Sequence, residues 1–262
     1  MSSPPTEHTT INGIHTTHTI HGEGEPVLLL HGWGANITLL WPLIEQLAQR
    51  GFRCHAPDLP GFGGTGLPPA TWSVHDYVAF VLAYIDAQQL ACAHLFGHSF
   101  GGRLSIVLGA KHADRVNKIV LCDAAGVRGK TPWYRQLPVT LYRAVEDKVD
   151  DESAPGRLIN RVRDAYVKRT GSSDYLDAGE LKETLVEVVS EDLLPFAPQI
   201  TAPTLLVWGA NDEDTPLWQA KALEAAIPDA GLVVFPNAGH YAYLDALPDT
   251  VRVMDYFYKH DE

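Results

Sequence analysis

The chain has 262 residues, enough to bury one sizeable core as a single domain, with or without an insertion. Hydrophobic residues make up 45% and charged residues 20%, the balance of a soluble globular protein. A formal net charge of −12 argues against nucleic acid or an anionic membrane surface as partner, because both repel an acidic protein.

The first ten residues, "MSSPPTEHTT", lack the basic start and apolar stretch of a signal peptide, so a reducing cytoplasm is the expected compartment. No apolar run is long enough to cross a bilayer. Cys54, Cys92 and Cys122 lie in unrelated segments and read as small buried apolar residues rather than a disulfide framework. The stretch up to about residue 25 reads as one or two antiparallel edge strands. His15, His18 and His21 fall there at a spacing of three, which on a strand sends neighbours to opposite faces and forbids a shared metal. No other metal-ligand pattern is present, and no metal is expected.

Short apolar runs then alternate with amphipathic stretches. Residues 26–32, 52–58, 93–99, 117–123, 203–209 and 232–239 read as strands whose near-continuous hydrophobicity suits a parallel sheet covered on both faces. Helical spacing is expected from about Ile37 to Gln49 and through Val74, Tyr77, Val78, Val81, Leu82 and Ile85, with Ser73 as the N-cap. Further helices are expected after Ser99, from Pro216 to Ile227 and over about 248–259. This order predicts an α/β class, a mostly parallel, doubly wound sheet.

The rhythm breaks between residues 125 and 200. Trp133, Tyr134, Leu137, Leu141 and Tyr142 share one helical pattern, Leu158, Ile159, Val162 and Tyr166 a second, and Leu181, Leu185, Val188 and Val189 a third. The segment reads as a helical insertion over the carboxyl edge of the sheet, dividing a core of residues 1–124 and 201–262. Trp133, Tyr134, Tyr142 and Tyr241 are candidates for an apolar substrate pocket, although the first three also suit packing between insertion and core.

"HLFGHSFGGRLS", residues 94–105, places Ser99 in a G-x-S-x-G motif between a strand and a helix. The motif alone is a weak signal; the strand–turn–helix setting strengthens it. A serine on a sharp, strained turn presents its hydroxyl outward, and the glycines let helix and strand approach closely. No phosphate-loop pattern is present. A serine hydroxyl needs a base. His240 follows the last apolar run, and Asp212 follows the preceding strand in "LLVWGANDEDTP". Ser99, Asp212 and His240 thus stand in chain order, each at a strand's carboxyl end. "LLLHGWG" places the Trp33 amide where it can join that of Phe100 as an oxyanion donor.

With "HGWG", "DLPGFGGT", "GHSFGG", "WGANDEDTP" and "AGH" in this order, the chain resembles a serine α/β-hydrolase of the esterase and lipase superfamily over residues 15 to 260. The resemblance implies Ser99 as nucleophile, His240 as base, Asp212 as acid, Trp33 and Phe100 as oxyanion donors, and a cap at residues 125–200. It implies a small-molecule ester as substrate and no cofactor. Asp214 and Asp123 are rival acids, the latter because some members carry the acid after that strand. Asp58 reads as a turn former, and His31 and His98 as supporting histidines. Serine at the nucleophile argues against the epoxide-hydrolase and dehalogenase branches. Carbon–carbon hydrolases of the family tend to follow the histidine with tryptophan, where Tyr241 stands here. A carboxylesterase is expected first, then carbon–carbon, lactone or amide hydrolysis or peracid formation. Last comes a receptor that binds without turnover.

Overall fold

A computed structural model of the protein describes residues 3–129 and 178–260. The eight strands are β1 (Glu7–Ile11), β2 (Ile14–His21), β3 (Glu25–Leu30), β4 (Phe52–Pro57), β5 (Ala93–His98), β6 (Val116–Cys122), β7 (Thr204–Gly209) and β8 (Ala230–Phe235). They form one sheet in the order β1-β2-β4-β3-β5-β6-β7-β8. The β1–β2 and β2–β4 pairings are antiparallel, and the remaining five are parallel.

The continuous apolar runs are explained by the two layers they serve. In β3, Val27 and Leu29 face one layer while Leu28 and Leu30 face the other, and all four are fully buried. Helices α2 (Val74–Ala87), α3 (Phe100–Lys111) and α5 (Trp218–Ala226) cover the layer holding Leu28, Tyr77, Leu104, Ile119 and Trp208. Helices α1 (Ile37–Ala48), α6 (Ala242–Asp245) and α7 (Leu247–Lys259) cover the layer holding Val27, Trp41, Phe96, Val207 and Met254. Ser73 caps α2 as expected, and Asp76 completes a reciprocal capping box by accepting the Ser73 amide at 2.8 Å.

The N-terminal expectation is met and narrowed, and two bounds need adjusting. Of the N-terminal strands only β1 is an edge, because it shields β2 from solvent and leaves β2 paired with β4. The last strand ends at Phe235, since Pro236 has no N–H to donate to the ladder; residues 236–239 form the turn leading to His240. The helix expected from Pro216 begins at Trp218, after a turn in which the Gln219 amide donates to the Pro216 carbonyl.

Within 125–200 the described residues hold a 3-10 turn at Gly179–Leu181, α4 (Lys182–Ser190) and a second 3-10 stretch at Leu194–Gln199, with no strand. The patterns at 133–142 and 158–166 lie outside the described residues. Helix α4 is pinned at its carboxyl end. The buried Arg103 guanidinium donates to the Val188 and Glu191 carbonyls at 3.0 and 3.1 Å, and Arg128 donates to Ser190 at 2.6 Å.

Candidate active site

Three strands of the parallel sheet deliver the site at their carboxyl ends. Ser99 links β5 to α3 with φ 48° and ψ −106°, a left-handed conformation that costs a non-glycine residue energy and turns its hydroxyl out of the sheet. Tight packing holds the turn. A Cβ on Gly101 would collide with the Leu30 carbonyl, and the Gly101 amide donates to the His31 carbonyl at 3.1 Å.

Beyond β8 and its turn, His240 brings Nε2 to 3.0 Å from Ser99 Oγ and Nδ1 to 2.9 Å from Asp212 Oδ2. The structure therefore brings Ser99, His240 and Asp212 into one hydrogen-bonded line. Asp212 is buried, with four donors around its carboxylate: the Asp214 and Thr215 amides on Oδ1 at 2.9 Å each, and on Oδ2 His240 Nδ1 and Thr215 Oγ1, the latter at 2.6 Å. Burial pushes its pKa up, but the bonds from His240 and Thr215 outweigh it and hold the carboxyl below the usual range. Burial likewise works against a charged His240, yet the bond and charge of Asp212 leave its pKa raised. The arrangement can pull a proton from Ser99 and stabilise the imidazolium that results.

The rival carboxylates sit elsewhere. Asp214 is exposed and meets Asp212 through its amide. Asp123 is fully buried, and its two oxygens accept the Gly209 and Ala242 amides at 2.8 and 2.9 Å. Burial and the nearby Asp212 charge push its carboxyl up to about 7 against those two bonds. Asp58 spans its turn, accepting the Ile37 and Gly64 amides at 2.8 and 2.9 Å. His31 accepts the Leu59 amide at 2.9 Å on Nε2, so its Nδ1 carries the proton and donates to the Gly32 carbonyl at 2.7 Å.

The Phe100 amide opens α3 and so has no carbonyl four residues behind it. Neither it nor the Trp33 amide has a partner among the described residues. The Trp33 ring lies 4.9 Å from Phe62 and 5.3 Å from Phe100, making an aromatic wall beside the serine. Tyr241 is 38% exposed with its ring 5.6 Å from that of His240. Trp133, Tyr134 and Tyr142 lie outside the described residues.

Sequence reasoning missed Thr215, although its place three residues after Asp212 is the spacing at which an aspartate folds a local turn onto following amides. Among the described residues, Asp212, Asp214 and His240 bring ligand atoms within 4.8 Å of one another. The His240–Asp212 bond already occupies two of those groups. On β2 His15 is exposed and His18 buried.

The family model for the α/β hydrolase fold matches residues 25–247. The chain belongs to this family. Among relatives of this α/β hydrolase, a pimeloyl-[acyl-carrier protein] methyl ester esterase of Chromobacterium violaceum is 31% identical over 89% of this chain and 94% of its own. A 2-hydroxy-6-oxo-2,4-heptadienoate hydrolase of Pseudomonas putida is 28% identical over 94% and 93%. The crystal structure of an enol-lactonase from Burkholderia xenovorans shares the fold with a TM-score of 0.75 at 22% identity, covering 97% of this hydrolase and all of that chain. Among the described residues, no helix of the hydrolase is long and apolar enough to cross a membrane.

Proposed function

We propose that the protein is a carboxylesterase that hydrolyses small to medium apolar esters through an acyl-enzyme intermediate. The observation that carries this reading is the unbroken line from Ser99 Oγ through His240 to Asp212, with Ser99 on a strained turn. His240 takes the Ser99 proton as the hydroxyl attacks the ester carbonyl, while Asp212 orients the imidazole and stabilises its charged form. The amides of Trp33 and Phe100 hold the oxyanion, for which neither has a partner among the described residues. His240 then protonates the leaving alcohol, and water repeats the sequence to release the acid. No metal or organic cofactor enters these steps. The aromatic wall of Trp33, Phe62 and Phe100 favours an apolar substrate, with Tyr241 near His240, and we assign residues 125–200 as the cap insertion. We place the reaction in the cytoplasm.

A second reading keeps the same triad for carbon–carbon or lactone hydrolysis, as the names of the Pseudomonas relative and the Burkholderia structure suggest. One experiment separates the two. The protein is treated with a fluorophosphonate probe and assayed on p-nitrophenyl esters from acetate to laurate, beside Ser99→Ala. Labelling of Ser99 with a short-to-medium optimum that vanishes in Ser99→Ala is expected. Labelling without ester turnover would transfer the triad to the second reading, and activity surviving Ser99→Ala would remove Ser99 as nucleophile.

A further inference from the structure

The loop that carries His240 is held up to Gly239 by neighbouring turns: the Asn211 amide donates to the Ala238 carbonyl at 2.9 Å and the Gly239 amide to Asp245 Oδ2 at 2.8 Å. It follows β8, a half-buried edge strand, through an exposed Pro236 and Asn237. Two buried groups outside the triad grip His240 itself and the turn that follows it. His98 Nε2 lies 2.7 Å from the His240 carbonyl oxygen. A carbonyl only accepts, so this nitrogen carries the proton. Burial, reinforced by the neighbouring His240, drives the His98 pKa down to about 3, consistent with a neutral ring. Two residues further along the same turn, the Ala242 amide donates to Asp123 Oδ2. The other oxygen of Asp123 accepts from Gly209, the last residue of β7 and three before Asp212.

Asp123 reaches this position at a cost. Its φ is 45°, so β6 ends, like β5, in a strained left-handed residue. The strain aims a wholly buried carboxylate between the strand that leads to Asp212 and the turn that leads away from His240. His98 comes from the residue before Ser99, so its bond ties the His240 backbone to the serine's own strand end.

We propose that His98 and Asp123 form a two-point clamp that sets the His240 imidazole against Ser99 and Asp212, as positioning residues that touch no substrate. The inference rests on His240 being the base. Reacting groups lose rate steeply when displaced by about 1 Å, so the clamp governs the chemical step rather than binding.

The test uses the full chain with His98→Leu, His98→Gln, Asp123→Asn and the His98→Leu/Asp123→Asn double variant. Ser99 labelling by a fluorophosphonate, ester kcat and KM, and urea unfolding are measured for each. The clamp predicts that His98→Leu and Asp123→Asn each lower kcat and labelling rate about 10- to 100-fold with KM within about twofold. His98→Gln, which can still offer an N–H to the carbonyl, recovers part of the loss. The double variant is no slower than about the worse single one, because both grips serve one turn. Wild-type labelling rates in folded single variants would overturn the clamp and leave the triad standing. Losses that multiply, or that track the unfolded fraction, would also overturn it. Should Asp123→Asn not fold, the His98 pair decides alone. Absence of Ser99 labelling in the native protein would remove the base assignment and the clamp together.

Discussion

At the scale of single residues, Asp212 differs from its neighbours in how completely its carboxylate is satisfied. Four donors face it, and only one of them is His240. Asp212→Asn would keep the shape, remove the charge and turn a donor toward one of those four. A loss in kcat of about 10⁴ is expected, the scale at which this substitution acts in a serine triad, whereas Asp214→Asn should cost less than about tenfold. The sign of the pH effect follows from the raised pKa of His240. Only the neutral imidazole can accept the serine proton, so activity falls as pH drops through a value above the ordinary 6.5. In Asp212→Asn the residual activity should keep its acid limb at lower pH, since the group that raised the histidine is gone. A pH–rate profile of both proteins checks this; an unmoved limb would mean that another group titrates. Asp212 was legible from its place after the strand ending "LLVWG". Thr215 and the grips of Asp123 were not, because each depends on which main-chain groups the fold delivers to a side chain.

Elements were read from their periodicities, and the reading held where burial sets the pattern. Strands β3 to β7 and helices α1, α2, α3 and α7 fall within a few residues of their expected bounds because both sheet faces are covered and each helix keeps one apolar stripe. The pattern overran where polarity did not change, as at Phe235, beyond which the proline alone ends the ladder. The β5–α3 junction invites a direct comparison. Removing the α2 cap by Ser73→Ala should cost about 1 kcal/mol and leave turnover unchanged. Gly101→Ala drives a methyl group into the Leu30 carbonyl, so α3 must lift from β3. It should cost about 1–3 kcal/mol by overpacking and lower turnover well beyond what the unfolded fraction explains. Urea titration beside an esterase assay separates the two effects.

For the whole molecule, sheet order was the least legible property. Apolar runs foretell strands but not that β3 inserts between β4 and β5, which the crossovers of the chain decide. Nor did the sequence disclose that His55, in the middle of β4, is fully buried with neither ring nitrogen partnered among the described residues. Burial, with smaller contributions from Arg53 and His18, lowers its pKa from 6.5 to about 4. The unfolded chain therefore takes up a proton below about pH 6.5 that the fold refuses until about 4, and stability drains as pH falls through that window. One such group contributes a slope of at most about 1.4 kcal/mol per pH unit. Asp123 has the opposite sign: raised to about 7, it takes up its proton in the fold first and gains stability as pH falls toward 3.8. His55→Leu isolates the first contribution. It should be neutral or stabilising at pH 8 and visibly stabilising at pH 5, read by urea titration at both. An unchanged difference between the two pH values would mean that His55 does not titrate on unfolding.

The position of β8 at the margin of the sheet has a consequence for how the protein wears out. It has β7 on one side and, among the described residues, no strand on the other, and its far end hands the chain to His240. Peeling this single strand separates His240 from Ser99 while β3 to β7 remain paired. Openings of this kind cost less than global unfolding and are visited more often. Heat or denaturant is thus expected to silence the site ahead of the fold, so that a population can keep most of its backbone structure while few of its copies remain competent.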